Sequence, residues 1–409
     1  MWFPFPVVSA VSPSVCSVPF LLDGYYFKEQ DLKSKYGAQW AVVTGSSSGI
    51  GRALTSKLAR QGINVVMVAI DDKLLSDVHA QMQKESEHTN TRTRREGTIT
   101  QRMDRRDRRL LPQSQSQVPG LIACVAWPPG CVCLLFAAVS SFPSVQFRKI
   151  GVNLGKPGYM ESIVGGTKDI LPTLIFNNAG FVATGLFSDS PLESLLANYE
   201  CNATAPIHVT HHFVQRILAE SKRTVAQRRG AVFFTSSPAG VMPCPTTVMY
   251  GATKAFLTEF ATSLSAELFA DGLDTLVVHP SPVDTGFYSG NKHDMSAMKF
   301  FQKTATSPES IANCFFKSVG RTVVCDQGYF SLALKGLLKV VDYNAIALMI
   351  TRTSTMSGDY VKLSVDCEDT QHGGATSVRE AETQPKARSD TLSVHLSVLI
   401  SVGQRKKKE

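Results

Sequence analysis

The segment Thr44-Gly45-Ser46-Ser47-Ser48-Gly49-Ile50-Gly51 follows directly on the apolar run Trp40-Ala41-Val42-Val43. It leads into a stretch where Ile50, Leu54 and Leu58 recur at helical spacing, with Gly62 as a stop. An uninterrupted apolar run suits a strand buried on both faces, and such strands occur in parallel sheets covered by helices on either side. The glycines, spaced G-x-x-x-G-x-G, let the backbone approach a bound group closely. Unpaired amide N–H groups and the positive end of the helix dipole then face an anion. Strand, turn and helix together predict a site for a dinucleotide pyrophosphate.

The rest of the chain repeats this rhythm. Apolar strands are expected at Trp40–Thr44, Asn64–Ala69, Val145–Leu154, Thr173–Asn177, Gly230–Ser236 and Thr275–Pro280. Helical spacing predicts helices near 50–61, 72–84, 158–170, 191–219, 247–271 and 308–318, and Ser331 to Val341 is amphipathic. Ser190-Pro191-Leu192-Glu193 reads as a capping box with proline at the first helical position. The Ala345–Ile350 run reads as core rather than anchor. Alternation of this kind predicts an α/β fold, a doubly wound, mostly parallel sheet of the dinucleotide-binding type.

A second constellation lies about 200 residues downstream of the first. Tyr250-Gly251-Ala252-Thr253-Lys254 sits within a helical pattern (Phe256, Phe260, Leu264, Leu268), so Tyr250 and Lys254 share one helix face a turn apart. A phenol with a pKa near ~10 is a poor base at neutral pH. A neighbouring ammonium stabilises the phenolate and brings it toward the working range. Thirteen positions before the tyrosine, Ser237 ends the apolar run Ala231-Val232-Phe233-Phe234, where its hydroxyl can meet developing charge on a substrate oxygen. Ser236 competes for that role.

In chain order, Thr44–Gly51, Asn177-Asn178-Ala179-Gly180, Asn202, Ser237, Tyr250 with Lys254, and Pro280-Ser281-Pro282-Val283-Asp284-Thr285 resemble the short-chain dehydrogenase/reductase family. The resemblance implies NAD(P)-dependent interconversion of a carbonyl and a secondary alcohol, with Asn202, Ser237, Tyr250 and Lys254 as catalytic tetrad, and it selects Ser237 over Ser236. Tyr250 would exchange the proton, Ser237 orient the carbonyl, and Lys254 lower the tyrosine pKa and hold the nicotinamide ribose. Asn202 would position a relaying water, and Thr285 would contact the carboxamide. Thr44, Gly45, Ser46, Ser48, Gly49, Ile50, Gly51, Ile70, Asp71, Asn153, Asn178, Ala179, Gly180, Pro280 and Val283 complete the expected cofactor site. Asp31 to Gly37 resembles the branch of hydroxysteroid dehydrogenases and very-long-chain 3-oxoacyl-CoA reductases, which implies a lipid-like substrate. The family further implies a homodimer through the Tyr250 helix.

Three features depart from the family pattern. The arginine that favours a 2′-phosphate is replaced by Ile70, and the acid that favours its absence by Ala69. Asp71 and Asp72 repel a phosphate, whereas Lys73 attracts one. The cofactor is therefore NADP(H) or NAD(H), with the branch resemblance leaning to NADP(H). The adenine-contacting acid is replaced by Asn153, and the Pro-Gly of the nicotinamide loop by Pro280-Ser281.

About 60 residues separate the second helix from the third strand, where αβ connections need 2–6. This interval, 86–144, holds a cluster of arginines and then an uncharged stretch split by Trp127-Pro128-Pro129-Gly130. It reads as an insertion outside the core or a retained non-coding segment of the gene. The expected organisation is an apolar linker (1–36), a dehydrogenase domain (37–350) and a polar, disordered tail (351–409). The formal charge of +8 is local, so no nucleic-acid partner is expected. Nine scattered cysteines without a C-x-x-C pair argue against a disulfide framework or zinc site. His208, His211 and His212 lack acidic or thiol partners at metal-binding spacing, so no metal is expected. The prolines of residues 2–22 make a poor signal or span. The ending Lys406-Lys407-Lys408-Glu409 resembles a dilysine retrieval signal, pointing to the endoplasmic-reticulum surface or the cytoplasm, with peripheral membrane association. A catalytically silent scaffold on the same fold is the alternative.

Overall fold

The computed structural model describes residues 27–87, 144–220, 229–283, 305–357 and 360–361. These all belong to the first of two units into which the chain divides, Met1–Ser364 and Val365–Glu409. Thr285, the arginine cluster, the apolar N-terminal run and the lysine ending lie outside the described residues.

The apolar runs form strands β1 (Trp40–Thr44), β2 (Asn64–Ala69), β3 (Phe147–Gly151), β4 (Leu174–Asn177), β5 (Gly230–Thr235), β6 (Leu273–Pro280) and β7 (Val324–Gln327). They make one sheet of order β3-β2-β1-β4-β5-β6-β7, every pair parallel. The order reverses between β1 and β4, the point at which such sheets open a crevice beyond their strand ends. The helices are α1 (Leu32–Tyr36), α2 (Gly49–Arg60), α3 (73–87), α4 (Tyr159–Thr167), α5 (Leu192–Tyr199), α6 (Ala205–Ala219), α7 (Val248–Leu268), α8 (Pro308–Ser318), α9 (Tyr329–Val340) and α10 (Tyr343–Thr353).

Neighbouring strand residues feed opposite cores, as the two-residue period of a strand requires. Val43 and Phe233 pack with Leu54 and Leu58 of α2 and Phe315 and Phe316 of α8. Val42 and Phe234 pack with Phe213 of α6 and Leu257 and Ala261 of α7. Phe176 and Phe233 stack at 4.0 Å with Phe315 edge-on to both. Ahead of β1, Tyr36 is buried and donates to Asp274 at 2.7 Å, fixing α1 beneath the sheet.

Several local expectations need correction. The helix expected over 191–219 is interrupted by a π turn, Glu200–Thr204, between α5 and α6. The capping box does not form: Pro191 stands at the cap, and the Ser190 hydroxyl donates to the Leu186 carbonyl instead. Of the Ala345–Ile350 run only Ile346 is buried, because α10 packs on the body through one narrow stripe. The edge strand β3 is shorter than expected, and β7 was not foreseen. No helix among the described residues is long and apolar enough to cross a membrane.

Candidate active site

The turn after β1 is shaped by what its glycines leave out. Gly45 (φ +67°) and Gly49 (φ +49°) occupy the left-handed region. A Cβ on Gly51 would stand 2.0 Å from the Gly45 carbonyl oxygen, so no side chain fits there. The turn delivers the chain into α2 with Ser48 at the cap position, exposed and making no side-chain cap bond; no acid lies in the first turn. The amide groups of that helix end are thus left for an anion. These features fit a dinucleotide pyrophosphate.

Thr44 serves the turn from below. Its Oγ1 accepts from the amides of Asn178 (2.9 Å) and Ala179 (3.0 Å), and the Asn178 carboxamide donates to the Thr44 carbonyl. Ser46 is buried with its hydroxyl toward the Val68 carbonyl. At the other end of the crevice Ile70 and Asp71 are exposed. Asp71 lies over Gly151 and 3.8 Å from Lys149. Asn153 turns its carboxamide oxygen to the amide of Gly155. Pro280 ends β6, and Val283 is buried against Thr306.

Past β5 the chain runs through Ser236 and Ser237 into a short 3-10 turn, Pro238–Val241, capped by the Ser237 oxygen accepting from Ala239 N–H. This turn abuts α7 so closely that a Cβ on Gly240 would lie 2.6 Å from the Ala255 nitrogen. On α7, Lys254 is buried and donates through Nζ to the Thr235 carbonyl at 2.8 Å, with Nζ 5.6 Å from the Tyr250 ring centre. Burial disfavours its charge and lowers its pKa to about 8. Asn202, within the π turn, is fully buried. It accepts from Phe181 N–H, and donates to the Phe181 carbonyl, Asn198 and Thr253. Gly180 stands between: a Cβ there would come 3.0 Å from Asn202 Oδ1 and 3.3 Å from Lys254 Nζ.

The fold therefore brings Asn202, Lys254 and Gly180 together, ties the Ser237 turn to α7, and sets the Gly-rich turn against Asn178 and Ala179. Sequence reasoning missed Gly240, which carries no motif, and Asn198 and Thr253, which hold Asn202. The three histidines do not converge. His208 meets Tyr159, His211 meets Gln215, and His212 Nε2 is buried with no hydrogen-bond partner among the described residues. Among the described residues no cluster of three or more acids, thiols and imidazoles is placed to hold a metal. A cavity of about 310 Å³ opens at the opposite end of the sheet, lined by Trp40, Asp169, Thr173, Glu220 and Arg229, away from these groups.

A family model described as short chain dehydrogenase matches residues 39–107 and 138–296, more than half of the chain. A 7beta-hydroxysteroid dehydrogenase of Collinsella aerofaciens is 23% identical over 291 residues, covering 71% of this chain and 86% of that protein. A very-long-chain 3-oxoacyl-CoA reductase of Laccaria bicolor is 25% identical over 244 residues, covering 58% of this chain and 54% of the other. A solved 7beta-hydroxysteroid dehydrogenase structure superposes with a TM-score of 0.55 at 20% identity, covering 76% of this chain and 95% of that one. At that identity the superposition speaks for the fold alone, but the family match spans both the Gly-rich turn and the Tyr250 helix. The chain belongs to the short-chain dehydrogenase/reductase family.

Proposed function

We propose that this chain interconverts a carbonyl compound and a secondary alcohol with NAD(H) or NADP(H) as hydride carrier. The observation that carries the reading is the buried ammonium of Lys254 lying against the Tyr250 ring. An ammonium so placed favours the phenolate, which lets Tyr250 exchange a proton near neutral pH. Ser237 donates its hydroxyl to the substrate oxygen. Tyr250 gives that oxygen a proton in reduction and takes it back in oxidation. Asn202, held rigidly by Phe181 and Thr253, positions the water that restores the proton at Lys254.

A nicotinamide held in the crevice would supply the hydride in reduction and accept it in oxidation. Gly45, Ser46, Ser48, Gly49, Ile50 and Gly51 would hold the pyrophosphate; Ile70, Asp71 and Asn153 the adenosine end; and Asn178, Ala179, Gly180, Pro280, Val283 and Thr285 the nicotinamide end. The lean to NADP(H) rests on the branch resemblance; among the described residues Asp71 pairs with Lys149 at 3.8 Å.

A lipid-like substrate, a steroid or 3-oxoacyl thioester, is favoured by the branch resemblance and by the kinds of relative matched. The root of α9 adjoins the loop after β6, where Ser331 N–H donates to Ser281. Farther along, α9 and α10 expose Leu337, Val340, Leu348 and Met349, a surface suited to peripheral contact with a membrane such as that of the endoplasmic reticulum. Homodimerisation would use α7, where Phe256 and Phe260 are only partly buried.

Tyr250→Phe tests the central reading. Turnover of a ketosteroid panel should fall by ~10²–10⁴-fold, while NADPH or NADH still quenches tryptophan fluorescence. Undiminished turnover would refute the assignment.

A further inference from the structure

Behind the proposed site runs a buried polar chain that the chemistry above leaves unused. Ser236 Oγ lies 2.7 Å from the Lys254 carbonyl oxygen and 2.8 Å from Thr258 Oγ1. Thr258 Oγ1 lies 2.9 Å from His279 Nε2, and His279 Nδ1 lies 2.8 Å from Asp326 Oδ1. The groups come from the end of β5, from α7, from β6 and from β7. Lys335 of α9 closes on the other Asp326 oxygen. Ser236 and His279 are buried, and the Asp326 side chain is 5% exposed.

The hydrogens along this chain can be counted. Four short contacts stand in series, and both ends, the Asp326 carboxylate and the Lys254 carbonyl, are acceptors only. Ser236 and Thr258 each bring one hydrogen, and a neutral imidazole brings one more. That leaves one contact unfilled. The longer approach of Thr258 Oγ1 to the Lys254 carbonyl (3.1 Å) adds to the demand. An imidazole carrying two N–H groups fills all four.

Burial disfavours the charge of the second state, and the Asp326 carboxylate in contact with the ring offsets that cost. An unmade buried hydrogen bond costs about 1–3 kcal/mol, whereas an imidazolium gains a charge-assisted bond to Asp326. Burial pushes the Asp326 carboxyl up, but hydrogen bonds from His279 and Lys335 outweigh it and hold the group below the ordinary carboxylate range. The like charges facing His279 are Lys335, whose side chain is 34% exposed and so screened, and Lys254, whose ammonium is turned to Thr235.

We infer that His279 is an imidazolium and acts as a positioning residue, directing the Thr258 and Ser236 hydroxyls toward the Lys254 carbonyl. The strand end that bears Ser237 is thereby locked to the helix that bears Tyr250 and Lys254. The inference rests on the proposed roles of those three residues.

Nitrogen-15 NMR of the full chain with labelled histidine tests it without reference to turnover. Both ring nitrogens of His279, identified by the signals missing from His279→Gln, are expected to carry a hydrogen in the folded protein. An unprotonated Nε2 overturns the inference. In kinetics, His279→Phe should lower kcat about tenfold with KM little changed, since the loss is one of alignment. His279→Gln, whose amide can still donate to Thr258, should restore most of it. A folded His279→Phe with full kcat also overturns the inference. Should that variant not fold, the spectrum of the unaltered protein decides. An active Tyr250→Phe would sink the catalytic reading and leave the proton count standing.

Discussion

The two halves of the site are made of different material. Around β1 and α2 the crevice is a matter of main chain: left-handed glycines, an uncapped helix end, and space where a Cβ would collide. Around β5 and α7 it is a matter of side chains: a buried ammonium, a buried carboxamide and a line of hydroxyls. The first half is sensitive chiefly to atoms added; the second, outside Gly180 and Gly240, to atoms removed. Holding a pyrophosphate needs many weak donors, which the backbone supplies at no cost in side-chain entropy. Moving a proton needs one group of shifted pKa, which only a side chain provides.

The contrast is broken most directly at Lys254. Lys254→Met keeps the volume and removes the charge, so kcat should fall by ~10²–10⁴-fold while dinucleotide affinity, read by fluorescence, changes far less. A comparable loss of affinity would mean that the two halves are not separable. Next in size is the response to pH. Because burial lowers the Lys254 pKa to about 8, the ammonium is present below that value and lost above it. The rate of carbonyl reduction should therefore break downward near pH 8, falling roughly tenfold per pH unit beyond the break. A flat profile to pH 10 would remove Lys254 from the proton path.

The nucleotide half should show the opposite sensitivity. Gly51→Ala forces an atom into the Gly45 carbonyl, an overpacking cost of about 1–3 kcal/mol, to be read as a lower Tm and weaker dinucleotide binding. Ser48→Ala, in contrast, removes a hydroxyl that makes no cap bond, and Tm should move by less than ~0.5 kcal/mol equivalent. A large effect of Ser48→Ala would show that the side chain at the helix cap matters as well as the amides.

What was legible in the sequence follows the same division. Buried parallel strands must be apolar throughout, so β1 and β2 were readable to the residue, and the Gly-rich turn announces itself by spacing. The edge strand β7, Val-Cys-Asp-Gln, is too short and too mixed to stand out, since only Cys325 is buried. The π turn at Glu200–Thr204 leaves no compositional trace, because its residues are acceptable in an ordinary helix. The Ser190 box failed because the hydroxyl found a nearer carbonyl, which a four-residue pattern cannot foresee. Ser236, Thr258, His279 and Asp326 were invisible as a group: four elements bring them together, and no local pattern links them.

One small contact has a consequence for the whole architecture. Ser86, at the end of α3, gives its hydroxyl to the Val145 carbonyl and takes the Val145 amide in return, just ahead of β3. Where the polypeptide departs from the sheet and where it rejoins are clasped side by side. The described residues that flank positions 88–143 thus stand side by side. A change in the number of residues between those two clasped points would ask no strand of the sheet to change its neighbour.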